Sequence, residues 1–233
     1  MDKNCAGVEM IDIFVTDFTS FKQNEYTLLA RSLPFGEAEC ERILSLKNGA
    51  RALESAGALA LLWYACKIHG VSLPLEIARA ESGKPYFKGS DVRFNLSHSG
   101  KFAAAVLSFE GEIGLDIEVI DRTRNVRGIA TRYFSEKELA LFNSADDKAA
   151  EFFRTWTKKE ARAKLYGVGL SSVIAAEKQM GDAMHNVNTQ TALINGELLC
   201  ASVCTEELAD EPQARICLLG ADEILNQICE DKI

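Results

Sequence analysis

The run Ile113-Gly114-Leu115-Asp116-Ile117-Glu118-Val119 constrains this chain more than any other segment. Its residues alternate in character with a period of two, and only an extended strand sorts such a pattern onto opposite faces. Ile113, Leu115, Ile117 and Val119 then point into a core, while Asp116 and Glu118 share the other side. Two carboxylates on one face of a strand suit a hard cation that prefers oxygen ligands, magnesium in particular. The same spacing also describes the solvated face of a half-buried strand, so the pair by itself leaves both readings open.

Around this strand the chain mixes strand and helix patterns. Strands are expected at Val8 to Val15, Leu75 to Ala80, Phe102 to Phe109, Glu197 to Thr205 and Ala214 to Leu219, and another carries Val92, Phe94 and Leu96 on one face. Helical periodicity covers Glu37 to Lys47 and Arg51 to Ile68, the second stopping near Gly70. A third helix starts at Ser135, where Ser135 and Glu138 fit a capping box, and a fourth runs from Lys148 to Tyr166 and ends at Gly167. Glu81 to Pro85 and Ser97 to Gly100 read as turns. Strands and helices of similar order occur before and after about residue 110. The expected fold is therefore α+β, in two lobes spanning 1–110 and 111–233.

Bulk properties narrow the function. The 233 residues are 47% hydrophobic and 26% charged, the composition of a globular chain able to bury a core. A formal net charge of −8 argues against a surface built for nucleic acid or an anionic membrane. Any anionic substrate must be held by a local cluster of basic groups. No signal peptide is read at the start, and the most apolar window, Ala56 to Cys66, is too short to span a bilayer. The expected location is cytoplasmic. Seven scattered cysteines with no Cys-x-x-Cys, and three separated histidines, predict free buried thiols in a reducing compartment rather than a zinc site.

Two further groups of residues carry chemical potential. In Trp156-Thr157-Lys158-Lys159-Glu160, followed by Lys164, helical spacing sets Glu160 and Lys164 one turn apart on one face. That pair is either a routine surface ion pair or a third carboxylate presented beside a phosphate-binding ammonium. In Asn95-Leu96-Ser97-His98-Ser99-Gly100, backbone N–H groups, hydroxyls and His98 could meet a phosphate, or the loop could simply be solvated.

Taken in order, the motifs resemble one family. Gly83-Lys84-Pro85, Phe94-Asn95-Leu96-Ser97-His98-Ser99, Gly114-Leu115-Asp116-Ile117-Glu118, Arg132-Tyr133-Phe134-Ser135 and Trp156-Thr157-Lys158-Lys159-Glu160 with Lys164 and Gly167-Val168-Gly169-Leu170 follow one another. This series is similar to the 4′-phosphopantetheinyl transferases of the larger, two-lobed type associated with peptide and polyketide synthetases, over roughly residues 47 to 170. The resemblance implies two pseudo-symmetric α/β lobes packed together, with the active site between them and the chain acting as a monomer. It further implies transfer of phosphopantetheine from coenzyme A to a serine of an apo acyl or peptidyl carrier protein. By the same resemblance Asp116, Glu118 and Glu160 hold Mg²⁺, and Lys164 contacts the phosphates. Arg51, Lys84, Pro85, Ser97 and His98 fall on coenzyme A-binding positions. Glu160 and Lys164 fall on the catalytic ones, Glu160 as general base.

The stretch Gly36 to Arg42 departs from the family pattern, being acidic where lysines that reach the 3′-phosphate are expected; either Arg42 or Lys47 stands in, or 3′-phosphate recognition is weaker. Carrier proteins of this kind are usually acidic, so the basic segment Arg122, Arg124, Arg127, Arg132 and Lys137, with Tyr133 and Phe134, is either a docking surface for them or a solvated linker. A non-catalytic paralogue that binds coenzyme A or carrier protein, and a Mg-dependent pyrophosphate hydrolase, are the alternatives.

Overall fold

The computed structural model describes residues 10–22, 25–180, 186–206 and 213–230. Among these, eight α-helices and nine strands occur, and the fold is α+β. In chain order they are β1 (Met10–Asp17), α1 (Glu25–Ser32), α2 (Glu37–Leu44), α3 (Gly49–Ile68), β2 (Ile77–Arg79), β3 (Pro85–Phe87), β4 (Arg93–Ser99), β5 (Phe102–Ser108) and β6 (Ile113–Val119). There follow α4 (Arg127–Tyr133), α5 (Glu136–Ser144), α6 (Lys148–Tyr166), α7 (Leu170–Met180), β7 (Asn186–Ile194), β8 (Glu197–Thr205), β9 (Gln213–Leu219) and α8 (Ala221–Glu230). Val8, Glu9, Cys5 and His185 lie outside the described residues. Among the described residues no helix is long and apolar enough to cross a membrane.

The chain divides into two compact units. One comprises Asp12–Ile113 with Ile216–Ile233, and the other is centred on Gly114–Arg215. The end of the chain, placed with the second lobe from the sequence, thus packs with the first unit. The reason is local: β9 lies beside β1, and the Thr16 hydroxyl donates to the Leu219 carbonyl at 2.9 Å. Ile224 and Ile228 of α8 join the same core.

In this first unit the sheet order is β4-β5-β1-β9. β5 is antiparallel to both neighbours, pairing Ala105 with Phe14 and with Leu96. α3 packs across β5, where Ala103 and Ala105 are small enough to let the helix approach. The Asn48 side chain caps α3 by accepting from the N–H groups of Ala50 and Arg51. β4 does not turn at Ser97, as expected from its Ser-His-Ser-Gly composition. Its ladder continues to Ser99, with Ser97 and His98 opposite Ala104 and Ala103, and the turn falls at Gly100-Lys101. Ladder hydrogen bonds that continue the pairing outweigh the turn preference of isolated polar residues.

In the second unit the sheet order is β6-β8-β7. β7 and β8 form an antiparallel hairpin closed by Asn195 (φ 48°) and Gly196 (φ 80°). Both residues are left-handed, as the tightest hairpin turn demands, and Asn-Gly is the pair that tolerates this best. α6 packs on β8. It is bounded as its sequence signals require, with Asp147 accepting from Ala150 N at the start and Gly167 left-handed (φ 63°) at the end. Phe152 and Phe153 bury its N-terminal half with Phe134 and Phe142, the Phe134 and Phe152 rings stacking at 5.4 Å.

Candidate active site

β6 and α6 are brought together by the absence of one side chain. A Cβ built on Gly114 would lie 2.0 Å from the Ala161 carbonyl oxygen and 2.6 Å from the Leu165 nitrogen. Only glycine permits this approach of strand to helix backbone. It carries Asp116, two residues along β6, to Lys164 on α6, where the ammonium donates to Asp116 Oδ1 at 2.8 Å. A second anchor lies one turn before Glu160. The Thr157 hydroxyl meets that of Ser202 on β8 at 2.7 Å, and Ser202 meets Thr189 on β7 at 2.9 Å. This hydroxyl chain, buried at Thr157 and Ser202, ties α6 to the sheet.

The burial of the strand bears on how its carboxylates are used. Asp116 is only 6% exposed, so it does not belong to a solvated face; Glu118, two residues on, is partly buried. Glu160 sits close enough to feel both. Burial pushes its carboxyl above the usual range, repulsion from Asp116 adds to this, Lys164 opposes it, and Glu118 raises it further. Asp116 thus meets Lys164 directly, and the charges of Asp116, Lys164 and Glu118 all act on Glu160. Among the described residues, no three Asp, Glu, His or Cys side chains already stand in a metal-coordinating arrangement. The residue types, carboxylates with an ammonium nearby, are those a hard cation takes oxygen ligands from.

Sequence reasoning missed Lys159. It is 1% exposed, and its ammonium lies between Glu138 of α5 at 2.9 Å and Glu177 of α7. Arg162 joins Glu177 at 2.6 Å, so two cations face two anions. Glu138 also accepts from the Ser135 backbone N–H in the expected capping box. The motif hinted at a charged residue here, but nothing local separates the buried Lys159 from the partly exposed Lys158.

The remaining predicted residues lie in the first unit. Arg51 is exposed in the first turn of α3. His98 is 59% exposed, with its Nε2 3.2 Å from Glu54, and Ser97 beside it is buried. Lys84 donates to Glu112 at 2.6 Å, and Glu112 also accepts from Arg93 at 2.9 Å, so one carboxylate holds two cations just before β6; Pro85 opens β3. In the acidic stretch, Glu39 is buried and accepts from Arg42 at 2.8 Å and from Arg79 at 3.0 Å. Arg42 is thus held by its own helix, while Lys47 is exposed.

Comparison with known proteins places the chain in a family. The family model described as the 4'-phosphopantetheinyl transferase superfamily matches residues 112–217, which include β6 and α6. The 4'-phosphopantetheinyl transferase AcpT of Salmonella typhimurium is 37% identical over 133 residues, 56% of this chain and 67% of the relative. AcpT of Escherichia coli is 36% identical over 140 residues, 59% of this chain and 69% of the relative. The chain belongs to the 4′-phosphopantetheinyl transferase superfamily. The 4'-phosphopantetheinyl transferase HetI of a Nostoc species is 36% identical over 97 residues, 39% of this chain and 41% of HetI.

In this transferase the basic segment after β6 is partly committed to the fold. Arg122 donates to Asp147 at 2.6 Å, beside the start of α6. Arg132 lies over the Tyr133 ring at 5.2 Å, and Tyr133 meets Trp156 edge-on. Arg124, Arg127 and Lys137 are exposed, and so is Leu141 on the next helix at 52%. Phe134, expected to lend apolar surface for docking, is instead buried in the aromatic cluster. It follows the last turn of α4, and its ring closes the core against Phe142 and Phe152.

Proposed function

We propose that this transferase moves 4′-phosphopantetheine from coenzyme A to a serine of an apo acyl or peptidyl carrier protein, with Mg²⁺ bound by Asp116, Glu118 and Glu160. The observation that carries the reading is the meeting of a buried Asp116 with Glu160 and Lys164, across a strand–helix contact that only Gly114 allows. A bound magnesium ion would neutralise pyrophosphate charge and stabilise the leaving group.

The residues of the chain account for the rest. Lys164 places a positive charge where charge builds on the pyrophosphate. The serine Oγ forms a bond to the β-phosphorus, and the P–O bond to the nucleotide half breaks, releasing adenosine 3′,5′-bisphosphate. Glu160 takes the serine proton, directly or through a water. Arg51, Ser97 and His98 are the candidate contacts to the nucleotide phosphates, and Lys84 with Pro85 the turn beside the base. Carrier docking falls to Arg124, Arg127 and Lys137 with Leu141, a basic and partly apolar surface suited to an acidic partner.

Intact-mass analysis of an apo carrier protein, incubated with the transferase, coenzyme A and Mg²⁺, tests the reading. The expected result is a gain of one phosphopantetheine, lost with chelator or in Asp116→Ala and slowed when Arg124 and Arg127 are both changed to Glu. Coenzyme A cleaved with no gain in mass would identify a pyrophosphate hydrolase. Coenzyme A bound and intact, with no gain on any carrier, would identify a binding protein.

A further inference from the structure

We propose that Glu39 is a positioning residue: through Arg79 it fixes the turn between β2 and β3, which carries Lys84 and leads into Pro85, for coenzyme A binding. This rests on the proposed seating of coenzyme A beside that turn, and adds what holds the turn in place. It also gives the acidic stretch of α2 a use.

The hairpin of β2 and β3 is anchored in the core at one end only. Its strands are three residues each and form a sheet of their own, and an isolated two-stranded ladder is marginal in water. The far end is fixed: Ile77 is buried and donates its N–H to the Phe35 carbonyl at 3.1 Å, and Phe87 stacks on Phe35 at 5.8 Å. The near end is exposed from Arg79 to Gly83. There Arg79 lies opposite Pro85, which has no N–H to give the ladder. The turn closes on itself, the Gly83 N–H donating to the Ala80 carbonyl at 2.8 Å and the Ala80 N–H to the Lys84 carbonyl at 3.0 Å. These bonds shape the turn without tying it to the rest of the unit.

Glu39 supplies that tie. It stands in the first turn of α2 and is 5% exposed, and a buried carboxylate needs cations or hydrogen bonds around it. Its Oε1 accepts from Arg42 Nε at 3.0 Å and Nη2 at 2.8 Å, and both its oxygens accept from Arg79 Nη2, at 3.0 and 3.3 Å. A guanidinium is planar, so holding Nη2 on Glu39 also sets where Nη1 points. It donates to the Gly83 carbonyl at 3.3 Å. Lys84, the next residue, reaches Glu112 at 2.6 Å and the Ile113 carbonyl at 3.4 Å. The turn is thus held at two successive residues, by Glu39 acting through Arg79 and by Glu112, all within the first unit. Without Glu39, a side chain 40% exposed would lose its fixed rotamer, and the turn would lose its tie to α2.

Coenzyme A binding, measured by titration calorimetry with Mg²⁺ on the full chain, tests this for wild type, Arg79→Gln, Glu39→Gln and the double variant. Each single variant should bind coenzyme A more weakly by on the order of fivefold to tenfold, the scale of one charge-assisted hydrogen bond. The double variant should be no weaker than either single one, since Glu39 acts through Arg79. Dephospho-coenzyme A should lose affinity by the same factor, because a brace beside the base does not read the 3′-phosphate. In carrier modification the KM for coenzyme A should rise while kcat and the KM for carrier stay unchanged; a general loss of fold would move all three. Arg79 is exposed, so Arg79→Gln keeps the fold even where Glu39→Gln does not. Weakening seen with coenzyme A and absent with dephospho-coenzyme A would make Arg79 a direct phosphate contact and overturn the brace. Unchanged affinity in Arg79→Gln, or additive losses in the double variant, would overturn it as well. If wild type binds no coenzyme A, the transferase reading itself fails and takes this inference with it.

Discussion

Replacing Gly114 with alanine should damage the transferase more than any other single-methyl change in β6. The new Cβ would sit 2.0 Å from the Ala161 oxygen and 2.6 Å from the Leu165 nitrogen, where ordinary contact begins near 3.4 Å. Both obstacles are backbone atoms inside a helix, so no rotamer change relieves them. Strand and helix must separate by about 1.4 Å along the tighter contact, the difference between 3.4 and 2.0 Å. Overpacking of this kind costs about 1–3 kcal/mol, and with rigid obstacles the upper end applies. For a chain of this size each kcal/mol lowers the melting temperature by about 2–4 °C, so a fall of roughly 6–12 °C is expected. Activity should suffer separately, because Asp116 and Glu118 ride on the strand while Glu160 and Lys164 ride on the helix. A displacement of about 1 Å between reacting groups can cost on the order of a hundredfold in rate. Scanning calorimetry and carrier-modification rates, measured below the melting range, separate the two effects. Gly128→Ala is the control, since a Cβ there meets nothing within 4 Å. A Gly114→Ala protein that melts and turns over like wild type would refute the close-packing argument.

Two other perturbations test neighbouring parts of α6. Lys159→Met should destabilise by about 3 kcal/mol, the low end for a broken buried pair, because Glu138 loses its cation while Glu177 keeps Arg162. Urea unfolding of Lys159→Met alongside Lys159→Met with Glu138→Gln should show partial recovery in the double variant, and no recovery would mean the charges do not interact. Asp147→Ala should cost about 1 kcal/mol at neutral pH through loss of the helix cap. The Ala150 N–H, and after it Arg122, hold the Asp147 carboxyl below the usual carboxylate range. Its contribution is therefore present above the unfolded value and lost as pH falls through the folded one. The gap between wild type and variant in urea midpoint should shrink from about pH 7 to about pH 3, and a constant gap would contradict the assignment.

Much of the second unit's site was legible because its determinants are local. The alternation from Ile113 to Val119 requires a strand whatever surrounds it, and Asp116 and Glu118 then share a side. Asp147 and Gly167 bound α6 through capping geometry that a few neighbouring residues complete, and Ser135 with Glu138 forms its capping box for the same reason. Other elements escaped notice. β7 is a polar edge strand, Asn186–Ile194, with little apolar alternation; the Asn195-Gly196 pair was the available signal, since it demands the turn found there. α8 carries Ile224 and Ile228 one turn apart on its buried face, a helical period too short to stand out beside the strand before it.

Long-range placement decided the rest. The Ser-His-Ser segment is strand because Ala103 and Ala104 lie opposite it, and no property of the segment announces those partners. Phe134 is core rather than docking surface because Phe142 and Phe152 close over it. Lys158 and Lys159 are adjacent and chemically identical, yet only Lys159 is buried between two glutamates, one 21 residues before it and one 18 residues after. The sequence alone determined that two carboxylates share one side of a strand and that Glu160 and Lys164 share one face of a helix, because backbone periodicity enforces both. Only the tertiary structure decided that the two faces meet. That meeting depends on two backbones closing at Gly114, and on a cation near Asp116 that makes burying its charge tolerable.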